Sequence, residues 1–167
     1  MAIIVEDGSN VIGANSYVNL VDARTLLQSL GQDLDVVDET AEQQILNSAR
    51  YVDAFRAMYQ GSKTTNGQSM QWPRLGVVVD DDHIDSDTIP QDLIDAQVFA
   101  AYEFAQGQIL QPSSPGQSVQ SEEVVGAVKV SYFDTGAVDG SPTLVRVNDS
   151  LNPLFESGGT IMRGMRG

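Results

Sequence analysis

The chain has 167 residues, 41% of them hydrophobic and 19% charged, which suits one globular domain able to bury a core without staples. It contains no cysteine, so disulfides and thiolate metal sites are excluded. Nine Lys and Arg against 23 Asp and Glu give a net charge of −14, the opposite of the basic footprint by which proteins grip phosphates.

The N-terminus, Met1 to Asp7, has no basic region and too short an apolar run for a secretory signal. No segment approaches the ~20 apolar residues of a membrane span. The expectation is a soluble protein that stays where it is made. Ile3-Ile4-Val5 reads as a short apolar strand, and the polar run from Glu6 to Asn10 as a turn. Tyr17-Val18 is extended ahead of Asn19, which caps a helix running from Leu20 to about Leu30. Its apolar face is Leu20, Ala23, Leu26, Leu27 and Leu30, and Gly31 ends it.

Asp38 is the expected cap of a second helix. Ala41, Ile45, Ala49, Val52, Phe55 and Tyr59 recur in it at spacings of three and four, and it should stop near Gln60-Gly61. The polar stretch from Ser62 to Gln71 predicts an exposed loop. Trp72-Pro73-Arg74 and the apolar Val77 to Val79 follow, then a second loop over the acidic run Asp80 to Asp87. A third helix opens at Pro90 and reaches about Gln106, with Gln97 as the main polar intrusion on a wide apolar face.

Gln108 to Ser118, rich in Gln, Pro, Ser and Gly, reads as a linker. Strand structure is expected over Glu122 to Asp134 with a turn at Gly126. A short helix then carries Leu144, Val147, Leu151 and Leu154. The fold class this predicts is mainly α, a small helical bundle with a short β-strand or hairpin element, an extended arm and a C-terminal tail. One domain spans 1–156, with a helical core over about 15–106, a linker at 107–118 and the β element and short helix at 119–156. A flexible tail occupies 157–167.

Three aspartates beside the sole histidine, Asp80 to His83, raise a cation site. The alternate ligand positions, central glycine and closing glutamate of a calcium loop are absent, and adjacent side chains diverge in extended backbone, so a solvated loop is the favoured reading. A Ser–His–Asp triad would have to use His83, and neither a G-x-S-x-G turn nor a phosphate-binding glycine loop occurs. No catalytic, cofactor or metal residue is therefore assigned, and no enzyme is expected. Trp72, the only tryptophan, fits either a subunit contact or the core, with the core favoured and Arg74 the better interface candidate.

Several segments together resemble small tailed-phage proteins encoded among head-assembly genes. They are Val5-Glu6-Asp7-Gly8, Ala14-Asn15-Ser16-Tyr17-Val18, Ala49-Arg50-Tyr51-Val52-Asp53, Gln71-Trp72-Pro73-Arg74 with Gly76, and Ile89-Pro90 before an Ala-rich helix. The resemblance covers about Ile3 to Gln106. Val124-Val125-Gly126 and Leu151-Asn152-Pro153-Leu154 agree more loosely, and the linker and glycine-arginine tail depart from the pattern. The family often carries the label of a DnaT-like single-stranded-DNA-binding protein.

Resemblance to phage head–tail adaptors implies another role, a structural subunit of a connector ring, usually dodecameric. Such a ring docks beneath the portal protein and receives the tail or the next connector protein, with duplex DNA sliding through its lumen unbound. The implied place is the virion's head–tail junction, after synthesis in the host bacterial cytoplasm, with no membrane partner. Single-strand binding calls for aromatic platforms lined by cations. Aromatics are 7% of this chain, most at helical core spacing, and Lys63, Arg74 and Lys129 are scattered. The adaptor is thus the leading expectation and DnaT-like replication protein the alternative. Candidate subunit or portal contacts are Arg74, Ile161, Met162, Arg163 and Arg166, the last four as a tail that orders on a neighbour.

Overall fold

A computed structural model describes residues 2–108, 121–124, 128–131 and 144–156. Helix α1, Leu20–Ser29, begins where Asn19 Oδ1 accepts the Asp22 amide at 2.9 Å. It ends at Gly31, whose φ of +71° lets Gln32 N reach Leu27 O and Gly31 N reach Gln28 O, the paired closure of a Schellman motif. Ala23 and Leu27 of its expected face are fully buried, whereas Leu30, at the cap, is 49% exposed. Helix α2, Asp38–Ala54, buries Ala41, Ile45, Ala49 and Val52 and passes into a 3₁₀ turn over Phe55–Ala57. Asp38 is not its cap. Val37 holds that position, and the Asp38 carboxylate instead meets Arg24 at 2.7 Å, tying α2 to α1.

Helix α3, Gln91–Ala105, follows Pro90 and closes with the same motif at Gly107, where Gln108 N reaches Glu103 O. It is the hub of the bundle, packing against α1, α2 and α4, the last being Val145–Leu151. Ala96, Ala100 and Ala101 are fully buried there, and their small side chains admit close helix approach. Two apolar clusters result. One gathers Val52, Tyr59, Trp72, Leu93, Val147, Leu151 and Leu154; the other joins α1 and α2 to α3 through Leu27, Ile45, Val98 and Ala101. Each large aliphatic side chain so buried contributes roughly 1.5–3 kcal/mol. The fold is mainly α, as expected.

Three antiparallel pairs complete the described residues: β1 (Ser62–Lys63) with β2 (Arg74–Leu75), β3 (Val78–Val79) with β4 (Asp82–His83), and β5 (Ser121–Val124) with β6 (Val128–Ser131). Ser121 pairs with Ser131 and Val124 with Val128, so the expected β element is a hairpin; its turn, including Gly126, lies outside the described residues. Residues 109–120, most of the expected linker, lie outside them too, as does the tail over 157–167. The expected loop over Asp80 to Asp87 starts as a hairpin turn, with Asp80 and Asp81 at positive φ between β3 and β4.

Two further expectations are corrected. Ile3 to Val5 is not a strand, because Ile4 N is held by the Asn15 side-chain oxygen at 2.8 Å and the chain then curls around Glu6. Only one bridge, Val5 with Ser16, remains. Glu6 is 1% exposed, and its carboxylate accepts the amides of Gly8, Asn10 and Val11 at 2.9–3.0 Å. Gly8 is required in that turn, since a Cβ there would lie 1.8 Å from Asp87 O. The loop from Ser62 to Gln71 is not wholly exposed either. Gln68 is buried and ties it together, donating to Met70 O and Pro73 O and accepting from Thr65 N.

Gln97 is the joint of the bundle. Fully buried on α3, its Oε1 accepts Tyr17 N at 2.9 Å while Nε2 donates to Ser16 Oγ at 2.7 Å and to Ile45 O on α2 at 3.2 Å. One side chain thereby satisfies the segment that crosses between two helices. Replacing it with an apolar isostere leaves the Tyr17 amide without its acceptor and takes a donor from Ser16 Oγ and Ile45 O, at about 1–3 kcal/mol for an unsatisfied buried group. Gln97→Leu should destabilise the protein by roughly 2–4 kcal/mol, measured as a fall in the urea midpoint, with far-ultraviolet circular dichroism of the native state little changed.

Candidate functional site

The C-terminal half of α2 forms one wall of an open cleft of about 570 Å³, in the size range of small-ligand sites. The facing wall is the 69–71 loop, and the N-terminal segment at Ala14 and Asn15 closes one end. Ala14, Leu46, Ala49, Ala54 and Met70 supply apolar surface, while Arg50, Asp53 and Arg56 supply charge. Arg50 and Asp53 stand at i and i+3 on α2, and Arg56 follows three residues later in the 3₁₀ turn. Arg50 and Arg56 are exposed and Asp53 is half-buried.

Asp53 faces inward. Its carboxylate accepts a short hydrogen bond from the Tyr17 hydroxyl and longer ones from Gln71 N at 3.3–3.4 Å. The Tyr17 oxygen in turn accepts Gln71 N and Trp72 N at 3.1 and 3.2 Å. Burial pushes the Asp53 pKa up to about 6, against the lowering pull of the Tyr17 and Gln71 hydrogen bonds and the charge of Lys63. Burial, then the neighbouring Asp53 charge, raises Tyr17 well above the usual phenol range, so its hydroxyl remains a proton donor. This network fixes the 69–72 loop to α2 and to the N-terminal segment. It is a positioning device for the cleft wall.

A model of the family described as "Putative DnaT-like ssDNA binding protein" matches residues 1–167. The chain belongs to this family. No curated protein and no solved structure shows a significant match. In this DnaT-like chain, segments singled out by sequence converge at the cleft: Ala14 to Tyr17, Ala49 to Asp53 and Gln71-Trp72 each place residues on its walls or in the network behind them.

Of the sequence candidates, Arg74 is the described one, and it sits elsewhere and inside. It is 6% exposed, donates to Gln60 O at 2.6 Å and Gly61 O at 2.8 Å, and lies 5.9 Å from the centre of the Tyr59 ring. It pins the start of β1 to β2, which is an internal role. Ile161, Met162, Arg163 and Arg166 lie outside the described residues. Trp72 is fully buried, edge-on to Tyr59 at 5.6 Å, which settles its place in the core. Among the described residues no three His, Asp or Glu side chains gather as a metal site would require.

Sequence reasoning missed Arg50, Asp53 and Arg56 as a group, although their spacing was visible. Asp53 gives a pH test. Its folded pKa of about 6 lies above the ordinary 3.8, so the folded state binds the proton more tightly. The penalty of the buried charge is complete above pH 6 and is relieved as pH falls from about 6 towards 4. Asp53→Asn keeps an acceptor for Tyr17 and removes the charge. It should stabilise the protein at pH 7 by at most about 3 kcal/mol and flatten the thermal midpoint between pH 7 and 5.

Proposed function

We propose that this protein is a structural assembly subunit, a member of the connector ring that joins a tailed-phage head to its tail, docked beneath the portal protein. It carries no catalytic centre or cofactor in this reading. It works in the virion, after synthesis in the host cytoplasm, with duplex DNA passing the ring unbound.

The observation that carries this reading is the placement of rings and cations. Trp72, Tyr17 and Tyr59 are at most 3% exposed, and the other described aromatics are half-buried. Arg74 is internal, Arg24 is paired with Asp38, and Arg146 lies over the Phe99 ring at 4.1 Å. Single-strand binding needs exposed rings with cations between them. What this surface does expose is aliphatic: Ile12 at 96%, Val36 at 91% and Val21 at 72%, on a strongly acidic chain. In this reading neighbouring subunits cover these groups.

The second reading, single-stranded-DNA binding, is favoured by the family's description and by the two exposed arginines of the cleft. Fluorescence anisotropy with single-stranded oligonucleotides at physiological salt separates the two. The adaptor reading expects dissociation constants no tighter than about 10⁻⁴ to 10⁻⁶ M, the non-specific range. Sub-micromolar binding would replace it with the DNA-binding one.

The C-terminal residues 157–167 give a separate check. Arg163 and Arg166 with Ile161 and Met162 combine charge and apolar area suited to an acidic partner. Deleting Ser157 to Gly167 should leave circular dichroism unchanged and weaken co-sedimentation with the portal. Undiminished co-sedimentation would remove these residues from the interface.

A further inference from the structure

We infer that the Arg50–Arg56 cleft is a socket for the acidic β3–β4 turn of a second copy of the same chain. This rests on the ring reading and supplies it with a subunit contact.

The socket has two arginines that make no ion pair with another described residue. Arg50 and Arg56 are exposed, and among the described residues the one ion pair is Arg24 with Asp38. Asp53 stands between them along the chain, yet it turns its carboxylate onto Tyr17 and Gln71. Two guanidinium groups therefore flank an apolar-floored cleft on a chain of net charge −14. Guanidinium forks match carboxylates in bidentate geometry, so the complement of this cleft is a projecting acidic segment.

The same chain has one. Asp80 and Asp81 form a two-residue turn with φ of +52° and +68°, the double left-handed pattern of a type I′ hairpin, and Asp82 follows in β4. All three are exposed. Asp80 also stands within electrostatic reach of a like charge: the Asp92 carboxyl on α3 is raised by burial and then by Asp95 and Asp80. A tight turn that holds several exposed carboxylates together is a preformed anionic knob.

Asp80 to Asp82 are not among the residues lining the cleft of their own chain, so a second copy can answer each patch with the other. A knob-and-socket contact can be returned within a two-fold pair or passed on from copy to copy, and when it is passed on it closes into a ring if the rotation allows. Complementary charges of this kind also set register between subunits and speed their encounter.

The test is sedimentation or native mass measurement of the full chain over a concentration series at low and at high salt. Wild type should associate with rising concentration, less so at high salt. Arg50→Gln/Arg56→Gln and Asp80→Asn/Asp81→Asn should each weaken association about tenfold or more, with circular dichroism unchanged. Asparagine tolerates the left-handed turn, and removing two acids lowers general repulsion, so lost association in that variant is specific to the knob. Mixing the two variants pairs one intact socket with one intact knob and should give dimers that grow no further.

The inference is overturned if wild type stays monomeric up to about 1 mM at low salt. It is also overturned if either variant associates like wild type, or if the mixture fails to pair. Portal co-sedimentation of the same variants keeps the two ideas apart. Portal binding without self-association removes the knob-and-socket contact and spares the adaptor reading. Sub-micromolar binding of single-stranded DNA removes the adaptor reading itself.

Discussion

The fold depends on satisfying the backbone where the N-terminal segment passes between α2 and α3. A chain crossing a helix seam brings amides into a dry interior, where an unpaired donor costs as much as a large cavity. Here Gln97 answers Tyr17 N and Ser16 Oγ from one side, and Asp53 answers the Tyr17 hydroxyl from the other. Tyr17 then accepts the amides of Gln71 and Trp72, so the seam also holds the loop that delivers Trp72 to the core. Helix packing, cleft wall and buried tryptophan share one polar network.

That network explains what the sequence could and could not show. Elements set by local chemistry were legible: the Asn19 cap, the Gly31 stop and the opening of α3 at Pro90. So was the apolar face of α4 and its following turn, where Leu144, Val147, Leu151 and Leu154 are all buried. Features set by partners far along the chain were not. Gln97 looked like a flaw in an apolar face because its partners lie up to 81 residues away. Arg74 looked like a surface cation because the carbonyls of Gln60 and Gly61 that receive it belong to a turn with no sequence signature of acceptance. Asp38 fitted the composition of a cap, but Arg24, across the α1–α2 turn, took its carboxylate. The cleft was partly visible, since Arg50 and Asp53 stand one turn apart and Arg56 follows at the same spacing; the inward turn of Asp53 was not.

Acidity acts on two scales in this protein. At long range a net charge of −14 opposes the approach of nucleic acid. At short range the charges are unevenly placed: carboxylates crowd at the β3–β4 turn and the start of α3, and exposed arginines flank the cleft. An even distribution would serve solubility alone. A separated one gives the molecular surface two unlike sides.

The sole tryptophan has a use beyond packing. Trp72 is fully buried against Tyr59, and its indole Nε1 has no hydrogen-bond partner. An indole in so dry a setting emits at shorter wavelength than a hydrated one. Nature has thus placed a single optical reporter at the point where the network, the loop and the core meet. Its colour follows the integrity of the interior and is blind to events on the outer surface, so surface association and core opening can be told apart in one cuvette.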